Sequence, residues 1–224
     1  RFSEKIILDF QQTLGSRAFA GQLMQKPVAE EGNLIKRAWI KTISLSDFNK
    51  LTNNQKDIEW NLYIDTAYTS KQTNDATAVL IAGRHSNNVY VKRAIKYWLE
   101  FPELTKALQD LIIQYSIRMT YIESKASGLS VKQYLQRNGF NVSDLTPRRS
   151  TAQNMWKDAD KVSRVNSITP KIEGGHLWLI EDNSNEMILQ ELANFPYGHD
   201  DITDTITYAI DNLLGKQDLN YSFL

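Results

Sequence analysis

Three carboxylates in this 224-residue chain lie at positions where acids could act together. Asp65 ends the alternating stretch Trp60–Asp65, Glu123 ends a β-like stretch over 118–123, and Asp201 begins an amphipathic helix. Carboxylate oxygens are the hard ligands that Mg²⁺ and Mn²⁺ prefer, and two ions roughly 3.5 to 4 Å apart can support phosphodiester hydrolysis. The pattern is equally compatible with three unrelated surface acids.

The helix that begins near Asp201 is predicted to divide its acids between faces. At about 100° per residue, one apolar stripe would pack on a core; it consists of Ile202, Ile206, Ala209, Ile210 and Leu213. Asp201 lies beside this stripe, whereas Asp200 and Asp204 are predicted to point away from the core. Because aspartate is favoured at the N-cap, Asp200 is expected to cap the helix, and Asp204 to be structural.

The amino-acid composition excludes several kinds of site and partner. Lys plus Arg equals Asp plus Glu at 26 each, so no net charge attracts the whole chain to DNA or to a membrane surface. The absence of cysteine excludes structural disulfides, thiol nucleophiles and cysteine-containing zinc sites. No apolar run approaches the ~20 residues of a membrane helix, so we expect no membrane partner.

The order of elements predicts an α/β fold. Three strands that form an antiparallel meander are followed by alternating helices and shorter strands. We predict a central mixed sheet of five or more strands flanked by helices, with an extra β-hairpin. The predicted strands cover 60–65, 77–82, 89–98, 118–123, 140–145 and 176–180; the predicted helices cover 101–117, 127–139, 186–195 and the residues from 200, with a polar helix between Pro147 and Pro170.

Six short motifs follow one another along the chain: 62–67 (LYIDTA), 74–78 (NDATA), Ile122-Glu123 followed by Gly128, 160–164 (DKVSR), 191–196 (ELANFP) and 198–204 (GHDDITD). Together they resemble the C-terminal nuclease domain of tailed-phage terminase large subunits. The match runs from about residue 58 to 214 in the order of the family. Its most specific part is Phe-Pro followed closely by His-Asp-Asp-x-x-Asp, combined with the two upstream acids.

The resemblance implies an RNase H-like fold in which Asp65, Glu123 and Asp201 ligate two Mg²⁺ or Mn²⁺ ions, with Asp200 as an auxiliary acid. Lys161 and Arg164 match a recurrent Lys-x-x-Arg feature, which we assign to DNA backbone contact or to bracing the acids. A solvated helix face is an equal alternative for both.

Three further basic or titratable residues are candidates for this site. Arg148 and Arg149, on the same polar helix, are also expected to contact DNA. His199 either neighbours the acids or serves in capping or packing.

The resemblance also implies a function, a domain organisation and partners. We expect a metal-dependent endonuclease that cuts double-stranded concatemeric viral DNA during packaging in the host cytoplasm. Residues 1–56 would be a linker from an ATPase motor that is missing, and 57–224 the nuclease domain. No G-x-x-x-x-G-K-[ST] motif occurs, so ATP hydrolysis is not expected from this chain.

The resemblance implies protein partners as well. Portal protein and the small terminase subunit would be partners of the full-length protein, and the isolated domain would be monomeric. The alternatives are another RNase H-like nuclease, such as a junction resolvase, and a non-catalytic docking module for portal or small terminase.

Overall fold

One seven-stranded sheet organises the fold. The computed structural model describes residues 3–22, 34–66, 76–123, 127–145 and 161–215. Within these residues the strands are β1 (Lys41–Ile43), β2 (Trp60–Asp65), β3 (Thr77–His85), β4 (Asn88–Tyr97), β5 (Met119–Ile122), β6 (Val142–Asp144) and β7 (Leu177–Ile180), in the order β1-β7-β4-β3-β2-β5-β6. Strand β3 runs antiparallel to both of its neighbours, and the other pairings are parallel. The predicted mixed sheet with an antiparallel β2-β3-β4 meander is therefore confirmed.

Helices cover both faces of the sheet. One face carries α2 (Leu45–Leu51), α3 (Phe101–Gln114) and α4 (Ser127–Arg137), and the other carries α5 (Lys161–Glu173), α6 (Asn185–Asn194) and α7 (Asp201–Leu214). Helix α1 (Glu4–Gln22), broken at Gly15, lies against α5. None of the helices in the described part of the chain is both long and apolar enough to span a membrane.

Burial on both faces explains the composition of the central strands. In β2, Leu62 and Ile64 pack towards α3 and α4, whereas Tyr63 packs towards α7. All three side chains are fully buried, because helices cover both sides of this strand. The alternation along β2 thus separates two cores, and only Asp65 at its end reaches partial exposure.

The segment before β2 belongs to the same packing unit. Strand β1 pairs in parallel with β7, and Ile35 is fully buried in the core beneath α5, α6 and α7. Phe48 of α2 is fully buried in the core on the opposite face. The boundary that we predicted between residues 56 and 57 therefore does not coincide with a change in packing.

Two further predictions differ from the observed elements. Every strand within the described residues belongs to the one sheet, so the predicted extra β-hairpin is not among them. The polar helix was expected to end before Pro170, but α5 continues through Pro170 to Glu173. Proline removes one helix hydrogen bond, and the burial of Ile168 and Ile172 in the core that α5 shares with α7 holds this turn in place. Arg148 and Arg149 lie outside the described residues.

Candidate active site

Two acids leave neighbouring strands at the same corner of the sheet. Strands β2 and β5 are parallel, with Tyr63 opposite Tyr121, and the two rings stack at a centroid distance of 5.2 Å. Asp65 and Glu123 each follow these tyrosines by two residues. Because side chains alternate along a strand, both acids leave the sheet on the face that carries α7.

A third strand brings a lysine to the same face. Asp65 pairs with Ala78 of β3, which pairs with Lys96 of β4, so the three residues form one row across the sheet. The Lys96 Nζ lies 3.0 Å from Asp201 Oδ2 at the start of α7. This ion pair holds Asp201 near the C-terminal ends of β2 and β5.

The electrostatics of Asp65 show that the acids converge. Burial, together with the nearby carboxylates of Asp204, Glu123 and Asp201, raises the pKa of Asp65 to about 7, although Lys161 acts in the opposite direction. Burial has the largest effect on the pKa of Asp65, and among the three carboxylates Asp204 has the largest effect. The acids from β2, β5 and α7 therefore share one electrostatic environment.

Asp204 lies inside the protein, contrary to the prediction that it points away from the core. The residue is 7% exposed, and its Oδ2 lies 2.8 Å from Lys161 Nζ. Burial raises the pKa of Asp204, and Lys161 partly counteracts that rise. The prediction was wrong because α5 packs against α7 and places Lys161 beside Asp204, which also lies near Asp65 at the end of β2.

The sequence contains a signal for this burial that the helical-wheel argument missed. The segment 202–210 (ITDTITYAI) has no charged residue except Asp204, and every residue in it is buried. The other polar residues of this segment are threonines, so apart from Asp204 no charge has to be kept in water and the helix can be covered on all sides. A single charge within such a segment is a candidate functional residue.

The start of α7 is capped by a residue from another helix. Asp200 occupies the N-cap position but makes no capping hydrogen bond, and its Oδ1 lies 2.6 Å from Lys161 Nζ instead. Glu191 Oε1 accepts hydrogen bonds from the backbone N–H groups of Ile202 (2.5 Å) and Thr203 (3.1 Å). The predicted cap was therefore wrong, and the auxiliary role of Asp200 stays a prediction.

Helix α5 directs two basic residues at the acids. Besides Lys161, it carries Arg164, whose Nη1 donates a 2.6 Å hydrogen bond to the Tyr208 hydroxyl. Burial and the neighbouring Glu123 raise the pKa of Tyr208. This arrangement fits the bracing alternative for Lys161 and Arg164, while their contact with DNA stays a prediction. His199 is exposed beside this corner.

The donor set fits a hard divalent cation. Among the residues that the structure describes, no three Asp, Glu or His side chains form a ready metal site, and the α7 acids pair with lysines instead. The raised pKa of Asp65 nevertheless shows crowding of carboxylates, which a cation would relieve. Carboxylates on rigid strand ends and a helix are the ligands that Mg²⁺ and Mn²⁺ favour.

The mixed sheet, its covering helices and the carboxylates at one corner define an RNase H-like α/β domain. The family model of the terminase RNaseH-like domain matches residues 62–213. The chain therefore belongs to the terminase RNase H-like domain family, and the resemblance to the C-terminal nuclease domain is confirmed. No curated protein gives a significant sequence match.

Solved structures share the fold at low sequence identity. The large terminase of a thermophilic bacteriophage, in complex with ADP, is 11% identical, with a TM-score of 0.69 over 96% of this chain and 53% of that chain. The zinc-bound large terminase nuclease of thermophilic phage G20c is 19% identical, with a TM-score of 0.50 over 69% and 81%. For the large terminase nuclease domain of Thermus phage P74-26 the values are 17%, 0.50, 71% and 82%. This chain thus spans about half the length of the ADP-bound large terminase.

Proposed function

We propose that this chain is a divalent-metal-dependent endonuclease that cleaves double-stranded concatemeric viral DNA during genome packaging. The observation that carries the proposal is the arrangement of Asp65 and Glu123 at adjacent strand ends, beneath the helix that carries Asp201 and Asp204. Membership of the terminase RNase H-like family and the bound zinc of the G20c nuclease support it.

The proposed metal ligands are Asp65, Glu123 and Asp201, with Asp200 as an auxiliary acid. Asp204 joins this set because, of the neighbouring carboxylates, it raises the pKa of Asp65 most. Two Mg²⁺ or Mn²⁺ ions would supply Lewis acidity and lower the pKa of a bound water at this corner. The contribution of the chain is to hold the carboxylates on rigid elements, so that the scissile phosphate meets a fixed arrangement.

The basic residues supply charge on the same side of the molecule. Lys161 and Arg164 counterbalance the acids and are proposed to face the DNA backbone when the acids hold metal. Arg148 and Arg149 are proposed as further DNA contacts. We also propose that the chain works as part of a longer packaging protein in the host cytoplasm, with residues 1–56 leading from a motor domain. Portal and small terminase subunits would be its partners, and the isolated domain would be monomeric.

A plasmid-cleavage assay tests the proposal. The purified chain should nick and linearise supercoiled plasmid in Mn²⁺ or Mg²⁺, and EDTA should stop cleavage. Asp65→Asn and Asp201→Asn should each abolish cleavage while the far-UV circular dichroism spectrum is retained. Asp144→Asn is the matched control, since Asp144 also ends a strand but pairs with Lys132 on the opposite face of the sheet.

The same assay separates the alternatives. Cleavage confined to branched DNA would indicate a junction resolvase instead. No cleavage and no binding of divalent metal by calorimetry would indicate a docking module and overturn the proposal. Unchanged cleavage by the Asp65 and Asp201 variants would overturn the assignment of the ligands.

A further inference from the structure

Glu191 is a buried carboxylate that the proposed reaction does not use. It lies on α6 with its side chain 6% exposed, and one of its oxygens accepts the two N–H hydrogen bonds at the start of α7. The first N–H groups of a helix have no partner within the helix, and an anion there is favoured by the helix dipole. Glu191 thus determines where the backbone of α7 begins.

Lys96 connects this cap to the acid site. Its Nζ lies 2.8 Å from the second oxygen of Glu191 and 3.0 Å from Asp201 Oδ2, and its side chain is 11% exposed. Lys96 is anchored by its place in the row with Ala78 and Asp65. One oxygen of Asp201 is therefore held from the sheet.

The two lysines at the acids differ in their surroundings. Lys161 contacts Asp200 and Asp204, both of which belong to the acid cluster. Lys96 also contacts a carboxylate that is already engaged with backbone N–H groups, so its position does not depend on the cluster alone. Lys161 therefore pairs only with acids of the cluster, whereas Lys96 is also held by Glu191, which lies outside the cluster.

We propose that Glu191 and Lys96 are positioning residues of the metal centre, an inference that rests on the proposed function. Glu191 places the start of α7, and Lys96 orients the Asp201 carboxylate towards Asp65. Neither residue ligates metal. Partners that orient metal ligands in this way typically change metal affinity by about 10- to 100-fold when they are removed.

The test measures Mn²⁺ affinity by electron paramagnetic resonance and amide hydrogen exchange in three variants. Lys96→Met should weaken Mn²⁺ binding about tenfold or more and leave the exchange of the Ile202 and Thr203 amides slow. Glu191→Gln keeps an oxygen for both amides but loses the anchor of Lys96, so we expect weaker Mn²⁺ binding with slow exchange. Glu191→Leu should show weaker binding and fast exchange at both amides.

Two comparisons make the test decisive. Lys132→Met, which removes a comparably buried lysine from the ion pair with Asp144, should leave Mn²⁺ affinity unchanged. If Lys96 only occupied the place of a metal ion, Lys96→Met would bind Mn²⁺ as tightly as wild type or more tightly, and that result would overturn the inference. A wild-type protein that neither binds Mn²⁺ nor cleaves DNA would overturn the proposed function and the inference together.

Discussion

Asp65 and Lys96 lie in one row across the sheet, separated by Ala78 of the antiparallel strand β3. Residues paired directly across neighbouring strands place their side chains on the same face, so both face α7. Lys96 reaches Asp201 from this row, whereas Asp65 faces carboxylates, as its raised pKa shows. A single row of the sheet thus carries a carboxyl group on β2 and an ammonium group on β4.

The stability of the metal-free protein should depend on the ionisation of Asp65. Its pKa is about 7 in the fold against an ordinary value of 3.8, so between those values the folded state holds a proton that the unfolded state has released. The resulting stabilisation is present below pH 4 and lost as the pH rises through 7, by on the order of 4 kcal/mol. Urea unfolding in EDTA should give a free energy of unfolding about 3 kcal/mol lower at pH 8 than at pH 5, since part of the contribution is already lost at pH 5. Asp65→Asn should lack this contribution, and equal pH dependence in both proteins would contradict the prediction.

Removal of the Lys161 ammonium should affect the metal-free and metal-bound states in opposite directions. Lys161 lies within 2.8 Å of both Asp200 and Asp204, so Lys161→Met leaves these acids without their shared cation. We expect a lower Tm in EDTA and a larger rise of Tm on addition of Mn²⁺ than in wild type, because ligand binding stabilises the folded state. Differential scanning fluorimetry measures both. A Mn²⁺ response equal to that of wild type would argue against this role of Lys161.

The hydrogen bond from Arg164 to Tyr208 should contribute measurably to stability. Tyr208→Phe removes the acceptor for Arg164 Nη1, and the Nε of the same guanidinium has no hydrogen-bond partner within the described structure. A bond of this kind to a charged group contributes about 2 kcal/mol, which urea unfolding resolves. Tyr197→Phe is the control, since Tyr197 is 70% exposed and should change stability little. Equal effects of the two substitutions would exclude a special contribution from the buried hydroxyl.

Gly128 should resist substitution because α4 approaches the end of β5 closely. A Cβ at this position would overlap the backbone carbonyl oxygen of Glu123 and lie 3.1 Å from Thr66 Oγ1. We expect Gly128→Ala to cost about 1 to 3 kcal/mol and to weaken Mn²⁺ binding by displacing Glu123. Gly21→Ala is the matched control, because a Cβ there meets open space and alanine favours the helix by up to about 1 kcal/mol. Thermal unfolding and Mn²⁺ titration of both variants provide the comparison.

Local patterns predicted the strands and the acids at their ends. The alternation over Trp60–Asp65 places Asp65 at a strand end, and the same argument applies to Glu123. The meander followed from three consecutive strands, with Asn87 and Asn88 as turn residues between the last two. These inferences need only a few consecutive residues, which is why the central sheet could be predicted from the sequence.

Features that depend on the relative placement of helices could not be obtained in this way. Asp204 is buried because α5 packs on α7 and places Lys161 beside it, which a helical wheel with one buried face does not represent. The cap of α7 comes from Glu191 on the preceding helix, so it depends on how α6 and α7 pack. Strand β1 has three residues, too few for a periodic pattern. The site residues inferred from the family resemblance stay predictions until metal binding is measured.

The pairing of β1 with β7 has a practical consequence for preparing the protein. A shortened chain that began at residue 57 would turn β7 into an edge strand with unpaired backbone groups, next to the space left by Ile35. Exposed hydrophobic edges of this kind promote association between molecules. Such a shortened chain should aggregate during expression, whereas one that begins before Leu34 keeps the edge covered and should stay dispersed.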